Sequence, residues 1–405
     1  MGFTGLVSNT ILPMLPTVPN PAQRQPLTFS AAAPIFVCYI VQAILVQLPR
    51  TLAWKLIFLS VMIWSVWHAV IEYSLSARIA YVVGREDVER FRIFDYLFVT
   101  AVLSMLLRVI EWTFASKPYR RLRLGVNLSE PSSPSVRQLF EDAVDLAGNQ
   151  RGIGWSWSRD PFPKVPPRSV ADLILSLLLK LSITGVAVYS IQFTCPAIDP
   201  KGGTSIFDPS LPPFTRYIYA IWTTLMTGIF SYAVMDSAYL FGTVTSCLLF
   251  GKSTSEWPPF SDRPYLSTSL AEFWGKRWHQ SLRRTVVTLG SNPVRQIFGK
   301  PGAVMGAFVL SGLIHDWGLY GLGRRTDSSE PVFEVISPVG MFFVMMGVGV
   351  VLEGVWEEWL GWGKVGGWMG WVWTMGWTVW WGMGAVDEWA RRGLSVAPFP
   401  QRDRE

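Results

Sequence analysis

Residues 303–320 read AVMGAFVLSGLIHDWGLY. The run has the length and apolarity of a helix that crosses a bilayer, for which roughly 20 residues suffice. It also holds a histidine, His315. An ionisable group inside such a helix is costly to place there, so it marks a functional site by default. A neutral imidazole in that setting can take a proton from an alcohol, help worth on the order of 10²–10⁴ in rate. The other reading is a hydrogen bond across a helix interface that serves packing alone. Asp316 projects about 100° away around the helix and cannot readily orient the imidazole. Ser311, four residues earlier, shares the face of His315 and either bonds the imidazole or bonds back to its own helix. Gly306, Gly312 and Gly318 permit close approach of a neighbouring helix or a ligand, with ordinary packing the expected use of Gly306.

Working outward, comparable apolar runs lie at 31–48, 52–70, 94–115, 170–194, 216–250, 332–353 and 366–384, and the opening run itself extends over 301–321. The 216–250 run exceeds one crossing: it is either a tilted helix plus a half-helix or two short helices. The expected fold is therefore all-α, a polytopic integral membrane protein with about eight or nine spans. Composition agrees, with 50% hydrophobic and only 16% charged residues, against roughly a quarter charged in soluble proteins. The segment 356–381 holds nine of the 21 tryptophans, the pattern of interfacial anchoring.

The net charge is +6 at pH 7. The basic residues lie mainly between the apolar runs and form no stripe, which fits cytoplasmic loops rather than a nucleic-acid face. Such loops also suit the phosphates of an anionic cofactor. Residues 116–168 hold nine basic and five acidic residues and are placed on the cytoplasmic side. The sequon Asn127-Leu128-Ser129 would go unused there, and three crossings before it put the N-terminus in the lumen. Residues 195–215 read as a lumenal loop. The organisation reads as a flexible tail at 1–30, N-terminal transmembrane helices at 31–115, a cytoplasmic polar loop at 116–168, a membrane core at 169–385 and a C-terminal tail at 386–405.

Three cysteines without a CxxC pair indicate neither a disulfide framework nor a thiolate metal site. With three histidines the chain cannot supply the many ligands of a di-iron membrane desaturase, and it lacks HHxxxDG, HxxxD and GxSxG strings. No metal is expected. His68, near Glu72, reads as interfacial and structural. The acidic string Glu141, Asp142, Asp145 has no second acidic motif to make a Mg-diphosphate site.

Two further clusters carry chemistry. Residues 272–284 read EFWGKRWHQSLRR. At helical spacing Trp274, Trp278 and Leu282 share one face, with Lys276, Arg283 and Arg284 as cations. This is either an amphipathic helix at the membrane interface or a site in which His279 and Gln280 supply polar chemistry. Residues 151–157 read RGIGWSW. Two glycines beside Arg151 suit close backbone approach to an anion, and a basic turn docking on the membrane explains them equally well.

Together with WPPF at 257–260 and SGLIHDWGLYG at 311–321, these strings resemble the fungal branch of the wax synthase-like membrane-bound O-acyltransferases, over about residues 60–385. The resemblance implies that 169–385 is an acyltransferase core and that His315 is the catalytic histidine. It places His279 where the wider superfamily often has Asn in a Trp-Asn pair. It further implies acetyl-CoA, or another acyl-CoA, as co-substrate, held by Arg151, Trp155, Trp274, Lys276, Arg277, Trp278 and Arg283. The acceptor it implies is a lipophilic terpenoid or meroterpenoid alcohol arriving through the membrane lipids, and the location is the endoplasmic reticulum. Long-chain acyl-CoA and a fatty alcohol, giving wax esters, is the alternative within the same chemistry. A transporter using His315 as a proton-relay or substrate site is the alternative of another class.

Overall fold

The computed structural model describes residues 23–122, 135–158, 160–163, 165–194, 203–322, 336–359, 361 and 363–394. Helices dominate: α1 Phe29–Leu45, α2 Leu52–Glu72, α3 Leu75–Val82, α4 Arg92–Thr113, α5 Val136–Gly148, α6 Val170–Thr194, α7 Pro213–Phe250, α8 Asn292–Gly321, α9 Pro338–Gly354 and α10 Gly367–Arg391. Their starts are locally encoded. Thr28 accepts from Ala31 N, Ser135 from Gln138 N, and Ser337 from Val339 N and Gly340 N, each satisfying a backbone donor that the first turn leaves open. Gly251, at φ 60°, ends α7 in the left-handed conformation that glycine adopts at no steric cost.

Within the expected 1–30 tail, residues 1–22 lie outside the described residues. Beyond them, the Arg24 guanidinium is buried and donates to Val70 O, and Gln25–Pro26 pairs with Tyr73–Ser74. The sequon at 127–129 also lies outside the described residues. The polar loop contains α5, and buried Arg108 of α4 donates to the carbonyls of Leu146, Ala147 and Asn149 at its end. These carbonyls lack intrahelical partners, and a cation there also complements the helix dipole. An arginine inside an apolar run is here a structural cap.

Six helices among the described residues are long and apolar enough to cross a membrane: Leu52–Glu72, Val88–Thr113, Val170–Thr194, Pro213–Phe250, Arg283–Leu319 and Pro338–Glu358. The expected eight or nine is not reached. The first run yields only the 17 residues of α1, and α10, rich in Trp and Gly, is not among the six. The 216–250 run is one continuous 38-residue helix, α7.

Residues 283–321 are not a straight span. Gly299 has φ 64° and ψ −149°, a conformation open essentially to glycine, and Pro301 follows. The chain reverses there. A Cβ at Gly290 would stand 2.5 Å from Gly306 O, and Ser291 Oγ donates to Ala303 O at 2.7 Å. In an uninterrupted helix residues 290 and 306 would be about 24 Å apart at 1.5 Å per residue. The hairpin packs glycine on glycine, which is the packing role expected of Gly306. Gly312 and Gly318 are likewise used for packing, against the Gly340 backbone and against Thr100 and Tyr96. Gly290→Ala is expected to cost about 1–3 kcal/mol through overpacking. Thermal unfolding in detergent micelles checks this; an unchanged midpoint would contradict the close approach.

Two layers of core flank this hairpin. One joins α1, α2, α4 and α5 through Ile35, Met62, Val66, Val109, Trp112 and Leu146. The other joins α4, α8, α9 and α10 through Tyr96, Leu319, Val339, Phe343 and Ala385. The α6–α7 pair packs on α10 through Ala220 against Met383 and Val386, and on residues 257–260 through Tyr239.

Candidate active site

The hairpin register brings the two candidate histidines together. His315 lies nine residues beyond Gly306, and Ser281 lies nine residues before Gly290. Antiparallel packing through the glycine pair therefore carries His315 to about the level of the His279–Ser281 turn. The electrostatics agree: His279 senses the charge of His315.

His315 is held at one nitrogen. Its Nδ1 lies 2.8 Å from Ser311 O. A carbonyl can only accept, so Nδ1 carries the proton, and in the neutral ring Nε2 keeps its lone pair. The Ser311 contribution is its backbone carbonyl, not its side chain. The ring stacks on Phe343 of α9, with centroids 4.2 Å apart. The adjacent Asp316 sets where α9 begins, accepting from Ser337 Oγ at 2.5 Å. Asp316 thus places Phe343 rather than orienting the imidazole, as its 100° offset requires.

Residues 257–284 wrap the other side. Trp278 does not share a helical face with Trp274 and Leu282, contrary to the expectation from spacing. Phe273–Arg277 is one π-helical turn, and Trp278 is extended at φ −69°, ψ 157°. The wider turn stacks Trp278 on Phe273 (5.5 Å) and sets Trp274 against Phe308, Phe342 and Phe343. Trp274 therefore touches the ring that backs His315, and its indole N–H is buried with no partner among the described residues. Gln280 Nε2 donates to Trp274 O and Trp278 O, closing the turn. His279 stacks on Phe260, nearly coplanar at 9°, and its Nδ1 lies 2.9 Å from Ser281 Oγ.

Burial, with a smaller push from His315, holds the His279 imidazole down at about 4, from an ordinary 6.5. It is neutral through the physiological range. The folded state binds this proton less readily than the unfolded chain, so its stabilising contribution is complete above pH 6.5 and is lost as pH falls towards 4. We expect the wild-type unfolding free energy to fall between pH 6.5 and 4.5 more steeply than that of His279→Gln, by up to about 1.4 kcal/mol per pH unit. Parallel profiles for the two proteins would refute this.

The cations fall into two groups. Lys276 and Arg283 are exposed. Arg277 is half-buried, donating to Glu272 Oε1 at 2.8 Å and Asp262 O at 3.2 Å. That bond, together with the Thr268 N–H and hydroxyl, keeps the Glu272 carboxyl below its usual range, the Thr268 backbone donor first. Arg284 turns inward to Glu111 Oε1 (2.5 Å), the Tyr119 hydroxyl and Trp157 O, so it ties the segment to α4 and to the 151–157 turn. In that turn Gly152 and Gly154 have φ near 75°, and the Gly152 Cα faces the Trp157 ring with no room for a Cβ. Arg151 donates to Pro258 O and Pro259 O, joining the turn to the WPPF string. Trp155 is fully buried and its indole donates to Asp145 Oδ2 at 2.8 Å. Asp145 also pairs with Arg121, so this member of the acidic string serves the packing of the turn, while Glu141 pairs with Arg137 on the surface. His68 lies apart from the site, stacked on Trp64 and edge-on to Tyr73.

Phe260 stood only as the last residue of the WPPF string, and Phe343 was not foreseen, because an aromatic in an apolar run carries no positional signal. Glu353 was missed despite carrying one: it is a carboxylate inside an apolar helix. Its Oε1 accepts from Leu270 N at 2.6 Å and Trp373 Nε1 at 2.9 Å, and its Oε2 from Ala271 N at 2.9 Å.

Residues 257–344 match the membrane bound O-acyl transferase family. The chain is 25% identical over 295 residues to an O-Mevalon transferase of Penicillium terrestre, covering 64% of each chain. It is 25% identical to an acetyltransferase of Rhodocybe pseudopiperita, over 55% of this chain and 59% of that one. It is 34% identical over 105 residues to a long-chain-alcohol O-fatty-acyltransferase of Simmondsia chinensis, over 24% of this chain and 27% of that one. In each case the chain spans less than two thirds of the relative's own length.

Proposed function

We propose, for a chain whose residues 257–344 match the membrane bound O-acyl transferase family, that it transfers an acyl group from acyl-CoA to a hydroxyl of a lipophilic alcohol. The observation that carries this reading is His315: Nδ1 is committed to Ser311 O, which leaves Nε2 as the base at the level of the His279 turn. Nε2 takes the hydroxyl proton as the alcohol oxygen attacks the thioester carbonyl. Neutral His279 and the unpartnered Trp274 indole N–H are the donors available to the oxygen that becomes negative, and a donor of this kind is typically worth about 10²–10³ in turnover. The oxyanion collapses, the C–S bond breaks, and the proton on His315 passes to the CoA thiolate. Lys276, Arg277 and Arg283 meet the CoA phosphates on the outer side of the segment.

The donor proposed is acetyl-CoA and the acceptor a terpenoid or meroterpenoid alcohol, supported by the similarity to the fungal acetyltransferase. Long-chain acyl transfer is the second reading, favoured by the 34% identity to the Simmondsia chinensis enzyme. The endoplasmic reticulum is the proposed location of this integral membrane protein. Microsomes carrying the protein, given labelled acetyl-CoA or palmitoyl-CoA with terpenoid and fatty alcohols, test all of this. Acetyl transfer to a terpenoid alcohol supports the first reading, palmitoyl transfer to a fatty alcohol supports the second, and no transfer with any pair defeats both.

A further inference from the structure

Helix α5 carries an apolar face that the catalytic site does not use. Val136, Phe140 and Val144 are 86%, 53% and 49% exposed, and their spacing of four residues makes them one stripe. On the neighbouring flank, Ala143 and Leu146 are buried in the core shared with α1, α2 and α4. On a soluble protein such a stripe would mark a docking surface. The depth of α5 decides what covers it here.

Two contacts fix its course along α1. The Gln47 amide donates to Leu139 O, and the Tyr39 hydroxyl donates to Ala147 O. Leu139 to Ala147 and Gln47 to Tyr39 each cover about 12 Å of helix, in opposite senses along the chain. Helix α5 therefore descends antiparallel to α1 rather than lying across its end. The level of α4 agrees. The Lys55 ammonium donates to Trp112 O, which aligns the first turn of α2 with the last turn of α4, and both helices are long and apolar enough to span. Arg108, the cap of α5, lies more than a turn before the end of α4 at Thr113. The end of α5 is thus about 8 Å inside that level.

The cap itself fits this depth. The last carbonyls of a helix have no partners within it. Water satisfies them at a surface, but in hydrocarbon each one left open costs several kcal/mol. A buried guanidinium committed to the carbonyls of Leu146, Ala147 and Asn149 suits an end that water does not reach. Charge follows depth as well. The exposed pair Arg137–Glu141 lies in the first two turns, and beyond it the exposed positions of α5 are Val144 and Gly148.

We propose that α5 re-enters the membrane beside α1, and that phospholipid acyl chains cover its stripe of Val136, Phe140 and Val144. The segment 116–168 is then not wholly an aqueous loop. Its 151–157 turn hangs from the buried end of α5, through Asn149 to Ile153 and through the Trp155 indole to Asp145. The leaflet that seats α5 therefore also seats the turn whose Arg151 reaches Pro258 and Pro259. This placement holds whether or not the protein transfers acyl groups.

The test puts the photo-reactive residue p-benzoylphenylalanine at Val136, Phe140 or Val144 of the full chain, in phosphatidylcholine nanodiscs. All three positions are exposed, so the fold accommodates the larger ring. Trp64, exposed in the middle of α2, and Glu141, exposed on the charged side of α5, serve as reference positions. After irradiation, peptides are searched by mass for lipid adducts. Phe140 and Val144 are expected to yield adducts as well as Trp64 does, and several-fold better than Glu141. The attachment carbon is expected farther from the headgroup for Val144 than for Val136, since about 12 Å of helix separates them. Adducts with residues 123–134 or with a second copy of the chain, or a yield at Phe140 no higher than at Glu141, would overturn the proposal. Equal attachment depths for Val136 and Val144 would also overturn it, because a helix lying flat in the interface gives that result.

Discussion

Replacing His315 with alanine is expected to reduce acyl transfer by about 10²–10⁴-fold, the worth of a positioned general base, while protein abundance and acyl-CoA binding stay near wild type. The geometry makes this sharp. His315 Nδ1 bonds to the Ser311 carbonyl of its own helix, and its ring meets Phe343 face to face, so removing the imidazole leaves α8 and α9 joined through Asp316 and Ser337. Activity should therefore disappear without unfolding. Single-turnover transfer in nanodiscs, with isotopic dilution to measure bound acyl-CoA, separates the two effects. An alanine variant that transfers at more than a tenth of the wild-type rate would end the case for His315 as base.

Glu353→Gln should be the next most damaging change, although residue 353 touches neither candidate histidine. Buried in α9, Glu353 gathers the backbone N–H groups of Leu270 and Ala271, at the start of the segment that carries His279, and the Trp373 indole from α10. The same helix presents Phe343 to His315. One rigid element thus sets the position of the His279 segment relative to His315. Glutamine keeps the shape but replaces an accepting oxygen with a donor, and a buried N–H left unsatisfied costs about 1–3 kcal/mol. A displacement of about 1 Å in reacting groups can cost on the order of 10²-fold. The expected result is kcat down by about 10–100-fold with the KM for acyl-CoA within threefold, and a milder loss for Trp373→Phe, which deletes one of the three donors. Equal rises in KM for both substrates with kcat intact would show that Glu353 serves binding, not placement.

Much of this architecture was legible in the sequence, for physical reasons. Spanning helices announce themselves because hydrocarbon tolerates few charges, and His315 stood out because it breaks that rule. The number of crossings did not follow, since a 17-residue run such as α1 reads like an ordinary span and the arm before the reversal at Gly299 is too polar to read as one. The reversal did leave a mark, Gly299-Lys300-Pro301, a breaker pair within an apolar pattern. What no local pattern could supply was the return contact between Gly290 and Gly306. The face predicted for Trp274, Trp278 and Leu282 failed because it assumed 3.6 residues per turn where the chain winds more widely. Phe343 was invisible because only tertiary packing separates it from its neighbours, and the WPPF string marked Phe260 without showing that it stacks on His279.

The reversal at Gly299 also works as a molecular ruler. The two histidines are separated by 36 positions along the chain, yet their meeting depends only on the two arms being matched in length about the turn. One residue inserted into the α-helical arm between Gly306 and His315 would slide His315 by about 1.5 Å and swing it by about 100°, misaligning the pair. The stretch from Gly306 to His315 should thus reject any single insertion. Alanine insertions placed one at a time through residues 306–315 should trace a zone of lost transfer in protein that still folds, and loops outside it should accept the same insertions freely.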